Sequence, residues 1–508
     1  MQIRTTAACG GLAAAMLAGP ALADVTPDQV WSDLRGYLES SGYTVAATET
    51  TEGDTLTVSD VTLTVPMDEE GDELTVTMDR IAFTDAGDGT VDVDFPATMP
   101  ITITAEDEDG EPVEAQIDYT QEGLEMLVSG DPGALTYAYS AETLRLALSR
   151  LVVEGEELDR EAVRAEARFG PVEGETSVTT AEGTREIAQT MALGDFVYDV
   201  AAANPEDDEG SFSLSGTMRG VSGESTSTLP EEMPEDPAAV LAAGLSGTGS
   251  FSHEGGRVAF SFEDEEDSGG GEITSEAASL EVDFSGDAIA YAMSGQMLDY
   301  SLSGSGLPFP VNVSMETLAL NIAAPLAESD QPEDVAMGLT LGGFTMSDMI
   351  WNIFDPGQVL PRDPATVAMD MTGTVTPQVN LYDPADMAQL ETGEVVPAEL
   401  NALTLNSLTI DAAGLQVAGE GAFTFDNSDT ETFDGMPRPD GEVTVRVTGA
   451  NALIDRLIQM GLLTERDAMG ARMMLSMFGV PGDSPDTLTS TIEVNEQGHV
   501  LANGQRIQ

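Results

Sequence analysis

The residues able to carry chemistry are few, and their spacing limits what that chemistry could be. Two histidines, His253 and His499, supply the imidazole bases. Nucleophilic serine catalysis needs such a base within reach and a third group to orient it. Each histidine here stands beside a turn glycine, and no G-x-S-x-G string occurs. Both read as surface residues. H-E-x-x-H, Walker A and G-x-G-x-x-G strings are absent as well. Acid–base hydrolysis by paired carboxylates is the alternative, but with 91 Asp and Glu residues their spacing singles out no pair. Glu106 to Gly110 resembles part of an EF-hand loop. Ala105 then holds position one and Gln116 position twelve, so both key carboxylates are missing and only weak, nonspecific divalent binding is expected. The expectation is a protein with no catalytic residues, no cofactor and no metal site, and not an enzyme.

Composition bounds compartment and partners. Residues 1–23 read as a secretory signal peptide: Arg4, an apolar run from Ala7 to Leu17, then Ala21-Leu22-Ala23 as the cleavage site before Asp24. Cys9, the sole cysteine, lies in that segment, which excludes disulfides and zinc-thiolate sites from the mature chain. No later run approaches the ~20 apolar residues of a membrane helix, so no transmembrane anchor is expected. The formal net charge is −73, and the 18 basic residues are all arginine. Such a chain repels nucleic acid and anionic head groups. Disorder, the other reading of an acidic chain, is opposed by a 41% hydrophobic content arranged in alternation. The location expected is the Gram-negative periplasm.

The elements that would position any site are strands. Leu403 to Ile410 leads into a period-two run with Leu415, Val417, Gly419, Gly421, Phe423 and Phe425 on one face. The pattern apolar-x-apolar-x-x-apolar-x-apolar occurs at Leu403/Leu405 with Leu408/Ile410 and at Leu56/Val58 with Val61/Leu63. It recurs at Val76/Met78 with Ile81/Phe83, at Leu146/Leu148 with Leu151/Val153, and at Val313/Met315 with Leu318/Leu320. A straight strand would put the second half of each unit on the wrong face, so the gap predicts a bulge. Helices are expected after Thr26-Pro27-Asp28-Gln29, after Ser347 as a cap, and as a pair at 450–479 whose second member carries Met469, Met473, Met474 and Met477. The fold class is mainly β with a few short helices: extended, bulged, repeat-containing antiparallel sheets, with helices packed near both ends. Leu229 to Pro237 reads as a linker between an N-terminal β-rich region, 24–229, and a C-terminal one, 238–508.

Two stretches carry a family resemblance. Asp24-Val25-Thr26-Pro27-Asp28-Gln29-Val30-Trp31 is one. The other is Trp351-Asn352-Ile353-Phe354-Asp355-Pro356-Gly357 with Leu360-Pro361-Arg362-Asp363-Pro364-Ala365-Thr366 and Met371-Thr372-Gly373. Together they resemble the bacterial domain of unknown function 2125 family, whose motifs carry no assigned chemistry. The C-terminal arrangement is also similar to the ends of AsmA-like periplasmic proteins, which implies stacked strands forming a hydrophobic groove for lipid. This chain departs from that pattern in having no transmembrane anchor.

The function expected is non-enzymatic, envelope-associated binding of a lipid or other apolar ligand, with an envelope protein as a further partner. Leu415, Val417, Phe423, Phe425 and Met473 are the candidate lining. The alternative is a structural or protein-interaction module with a closed β core.

Overall fold

The computed structural model describes residues 25–40, 42–66, 73–106, 112–160, 162–181, 183–203, 210–230, 237–393 and 395–508. The segment read as a signal peptide, most of the stretch read as a linker and the core of the EF-hand-like loop lie outside the described residues.

The architecture is one antiparallel meander with six short helices among the described residues. Thr44–Glu52 pairs with Thr55–Pro66, which pairs with Glu73–Asp85, and each later row is laid beside the one before it. Several rows are two collinear strands. Val91–Asp94 and Thr98–Glu106 lie end to end along Glu73–Asp85. Ser246–His253 and Gly256–Glu263 lie end to end along Ser211–Pro230, so the ladder runs on past residues 231–245. Ser268–Ser275 and Ala277–Phe284 both close onto Ala288–Gly304. Some nineteen rows at ~4.8 Å spacing give a sheet roughly 85 Å across. Among the described residues no ladder joins the first row to the last, so the sheet is open.

Each of the five predicted gaps is a ladder irregularity. Asp60 sits between Val58 and Val61 at φ 52°, where the register against Thr44–Glu52 breaks. Residues 79–81 bridge the two collinear strands that flank Glu73–Asp85. Ser149 is the extra residue opposite the Gln116/Ile117 shift, and its hydroxyl donates to Asp118 Oδ1 at 2.8 Å. Glu316 drops out of pairing opposite Met297, which has φ 49°. Asn406 and Ser407 fill the shift between Leu405 and Leu408.

All five gaps fall inside their strands. Of these, the ones at Asp60, at residues 79–81 and at Glu316 belong to one line. Pro171 faces Gly194, Gly194 faces Gly220, and Gly220 faces the Glu254–Gly255 break, each skipped by the ladder. Glu276, Met297, Glu316 and Gly343 continue the series. Gly220 and Gly343, at φ 55° and 66°, hold the left-handed conformation that glycine adopts without a Cβ clash. A bulge bends its strand. Aligned across so many rows, the bulges crease the sheet along one line from Thr55–Pro66 to Glu333–Met346.

Helices close the two ends. α1 (Pro27–Ser40) forms the expected capping box: the Thr26 amide donates to Gln29 Oε1 at 2.9 Å, and the Gln29 amide donates back to Thr26 Oγ1 at 3.4 Å. It buries Val30 and Trp31 against Leu56, Val58, Phe83 and Val91. Pro237–Ala242 (α2), Asp348–Phe354 (α3) and Pro384–Thr392 (α4) sit in connections. α5 (Ala450–Gln459) and α6 (Glu465–Phe478) are the predicted helical pair. Ser347 occupies the N-cap position of α3, but its hydroxyl makes no capping bond.

Candidate functional site

Strand alternation assigns the faces. Along Thr184–Ala203, Arg185, Ile187, Gln189, Met191 and Leu193 share one side. After the skipped Gly194, Phe196, Tyr198 and Val200 continue on that same side. The bulge changes parity and thereby keeps the apolar set together. Directly opposed residues lie on one face, so a row can be followed from strand to strand. It runs Met126, Tyr139, Gly174, Met191, Gly223, Phe251, Leu280, Met293, Leu320, Leu339, Met369, Leu408, Gly419 and Val445. The adjacent row on the other face is polar: Glu175, Thr190, Glu224, Ser250, Glu281, Ala292, Asn321, Gly338 and Asp370.

The crease folds the apolar face inward. Ala141, Val172, Leu193 and Val221 form a core cluster along it. Packed against them are Met191 and Tyr139 from one side of the line and Phe169, Phe196 and Met218 from the other. Phe169 and Phe196 stack at 4.9 Å. The face is therefore a trough. Its floor is buried (Val221 3% exposed, Leu298 7%), while its walls are not (Phe212 44%, Ile322 44%, Met337 43%). Exposed apolar residues in a contiguous band mark an interaction site more often than scattered ones do.

Three recesses open along this face. One of about 340 Å³ lies beneath α1, lined by Val30, Leu34, Phe83, Val93, Phe95, Ile187 and others. One of about 310 Å³ lies mid-trough over Met191, Gly223, Gly249, Phe251 and Leu280. One of about 450 Å³ lies beneath α6, lined by Val445, Val447, Ala471, Met474, Leu475, Phe478 and Leu488. Of the residues singled out from sequence, Leu415, Val417, Phe423 and Phe425 are half-buried on the apolar face. Met473 is solvent-exposed, and its neighbours Ala471, Met474 and Leu475 line the recess. The polar face has its own shallow concavity of about 600 Å³, bordered by Glu175, Glu224, Glu281 and Asp283.

A cluster of polar groups lies on the trough side beneath α1. Arg185 pairs with Asp33 Oδ2 at 2.9 Å, and the Tyr137 hydroxyl donates to the same oxygen at 3.0 Å. The guanidinium lies 5.0 Å over the Tyr37 ring. Burial and then the Asp33 charge push the Tyr137 phenol well above its ordinary value. Sequence reasoning missed this cluster, because its members are 104 and 152 residues apart. His253 is a correction: it is buried, its Nδ1 accepts from the Gly255 amide at 3.2 Å, and burial lowers its pKa. The glycine beside it belongs to the crease, not to a surface turn. No group of three or more His, Cys, Asp or Glu residues is placed to hold a metal among the described residues, and no described helix is long and apolar enough to cross a membrane.

The motif at 351–362 builds a clasp. The Asp355 carboxylate is buried and accepts from the Val359 and Leu360 amides at 2.9 and 3.0 Å. Burial disfavours its charge, but these donors and Arg362 outweigh burial and hold the carboxyl below its usual range. Arg362 pairs with Asp348, donates to Asn352 Oδ1 and the Asp355 carbonyl, and lies over the Trp351 ring. These residues bond to one another and not to the trough, so the motif secures the connection between Glu333–Met346 and Ala365–Pro377. Comparison with curated proteins finds no match. Residues 257–504, from the crease-flanking strands through the helical pair, match the family model described as an uncharacterized protein conserved in bacteria (DUF2125).

Proposed function

We propose that this is an exported, periplasmic, non-enzymatic binding protein whose trough holds a long apolar ligand, a lipid chain in the first instance. The observation that carries the reading is the uncovered middle of the apolar face. Phe251, Ile289, Ile322 and Met337 are each more than a third exposed, yet all lie on the apolar face, and Ile322 and Met337 are directly opposed. A closed β core would bury them, and a solvated face would not select them. The acidic opposite face supports solubility while one side stays apolar. The polar groups described are engaged in pairing and capping, which supports binding over catalysis.

The test begins with protein purified from the periplasm without detergent, with its N-terminus sequenced. Asp24 as the first residue is expected. Organic extraction and mass spectrometry should then find stoichiometric lipid. Ile322 and Met337 are direct cross-strand partners. Replacing both by Asp should leave the fold intact, because both are exposed, and should abolish the lipid. A clean wild-type protein that also ignores an uncharged long-chain dye would overturn the reading and return the face to protein interaction.

A further inference from the structure

The recess beneath α1 differs from the rest of the trough by one unmet group. Arg185 reaches it because odd-numbered residues of Thr184–Ala203 face the trough on that side of the crease. Its terminal nitrogen is committed to Asp33, but its Nε–H is buried and meets no acceptor. Buried donors without partners are rare, and each calls for an explanation. Here the surroundings select the acceptor that would complete it. The guanidinium charge is already balanced by the Asp33 carboxylate 2.9 Å away, with both side chains less than a fifth exposed. A carboxylate or phosphate arriving at Nε would add a second negative charge beside Asp33 in a poorly hydrated recess, where like charges repel strongly. A neutral carbonyl would take the hydrogen bond with no charge to desolvate.

We propose that the α1 recess binds the carbonyl of an uncharged acyl ester or amide at Arg185, with the alkyl chain running along the trough past Ile187 and Met191. This rests on the apolar-ligand reading above and names the chemical class at its polar end. Free fatty acid anions are disfavoured. The recess, at about 340 Å³, is of the size that small ligands fill, and its lining is apolar apart from this cluster and the neighbouring Tyr139, Thr176 and Gln189.

A matched pair of probes tests it: the methyl ester and the sodium salt of one C18 acid, each below its micelle concentration, titrated at pH 7 against the full mature chain. Wild type should bind the ester at least tenfold more tightly. Asp33→Asn leaves the arginine uncompensated and should swing the preference toward the carboxylate by a similar factor. Arg185→Gln removes the cation and should erase the ester preference. The oleoyl amide, which shares the carbonyl, should follow the ester, and a split between the two would show which acyl source fits. Equal affinities in wild type, or a preference for the salt, would overturn the proposal without reference to any variant. If both probes bind, respond to Ile322→Asp/Met337→Asp and ignore position 185, the trough stands and the carbonyl site falls. If neither probe binds, both readings fall together.

Discussion

Deleting Asp60 should strongly destabilise the N-terminal core, whereas substituting it should not. Asp60 is the one residue by which Thr55–Pro66 changes parity, with Leu56 and Val58 on the trough side before it and Val61 and Leu63 after it. Without it, one half of the strand must flip, because successive side chains alternate. Flipping the second half sends Val61, fully buried, and Leu63 and Val65, half-buried, to the polar face. At roughly 2 kcal/mol for the buried valine and about 1 for each of the others, the loss is ~4 kcal/mol. Flipping the first half is worse, since Leu56 and Val58 are both fully buried. Asp60→Gly keeps the residue count and suits φ 52°, so it should be neutral or up to ~1 kcal/mol stabilising. Trp31 reports on this core: it lies 6.1 Å from the Phe83 ring, and its indole N–H donates to Glu49 Oε1 at 2.9 Å. The remaining tryptophan, Trp351, is replaced by Phe so that fluorescence reads Trp31 alone. With an m-value of ~2 kcal/mol per molar urea, the deletion should lower the midpoint by about 2 M. A deletion midpoint within ~0.5 M of wild type would show that the bulge is incidental to the trough.

Two further outcomes follow from local geometry. At Gly216 an added Cβ would stand 2.4 Å from the Tyr198 ring, whereas at Gly470 in α6 nothing lies within 4 Å. Gly216→Ala should cost about 1–3 kcal/mol and Gly470→Ala should gain up to ~1 kcal/mol, so thermal midpoints should move in opposite directions. Asp486 accepts from the Asn451 and Ala452 amides and the Asn451 side chain at the start of α5. Burial opposes its charge, but those donors outweigh burial and depress its pKa. A depressed carboxyl stabilises the fold above its unfolded pKa of ~3.9 and loses that contribution as pH falls through the folded value. Asp486→Asn should therefore weaken the C-terminal region at pH 7, and the gap from wild type should close below about pH 4 in acid titrations followed by circular dichroism.

Much of this was legible in the chain because alternation is a strong constraint. A two-residue gap in an apolar period admits only a bulge, and Leu56/Val58 with Val61/Leu63 declared one. The parity switch from Ile187, Met191 and Leu193 to Phe196, Tyr198 and Val200 carries the same information. It is harder to see because a glycine at the switch also reads as a turn, and that ambiguity misplaced His253. The alignment of the bulges is invisible in one dimension, since it depends on hairpin lengths that bring Gly194 opposite both Pro171 and Gly220. The C-terminal run Leu415–Phe425 was conspicuous for its regularity, but regularity marks a strand without a bulge, whereas the trough is deepest where strands are interrupted.

That last point bears on how the trough is held open. A single bulge bends one strand and can be straightened by its neighbours. When each row skips a residue where the next one does, straightening any row would break its ladder with both neighbours, so the bend is shared across the sheet. The floor cluster of Val172, Leu193 and Val221 is then a consequence of the crease as much as its support. The exposed walls follow as well: a sheet bent along one line buries the residues beside that line and leaves those toward the strand ends, Phe212 and Phe262 among them, in reach of solvent. Collapse of the walls onto each other would bury that surface but must unpair the aligned rows. Filling by a chain-like ligand buries the same surface and leaves every ladder intact.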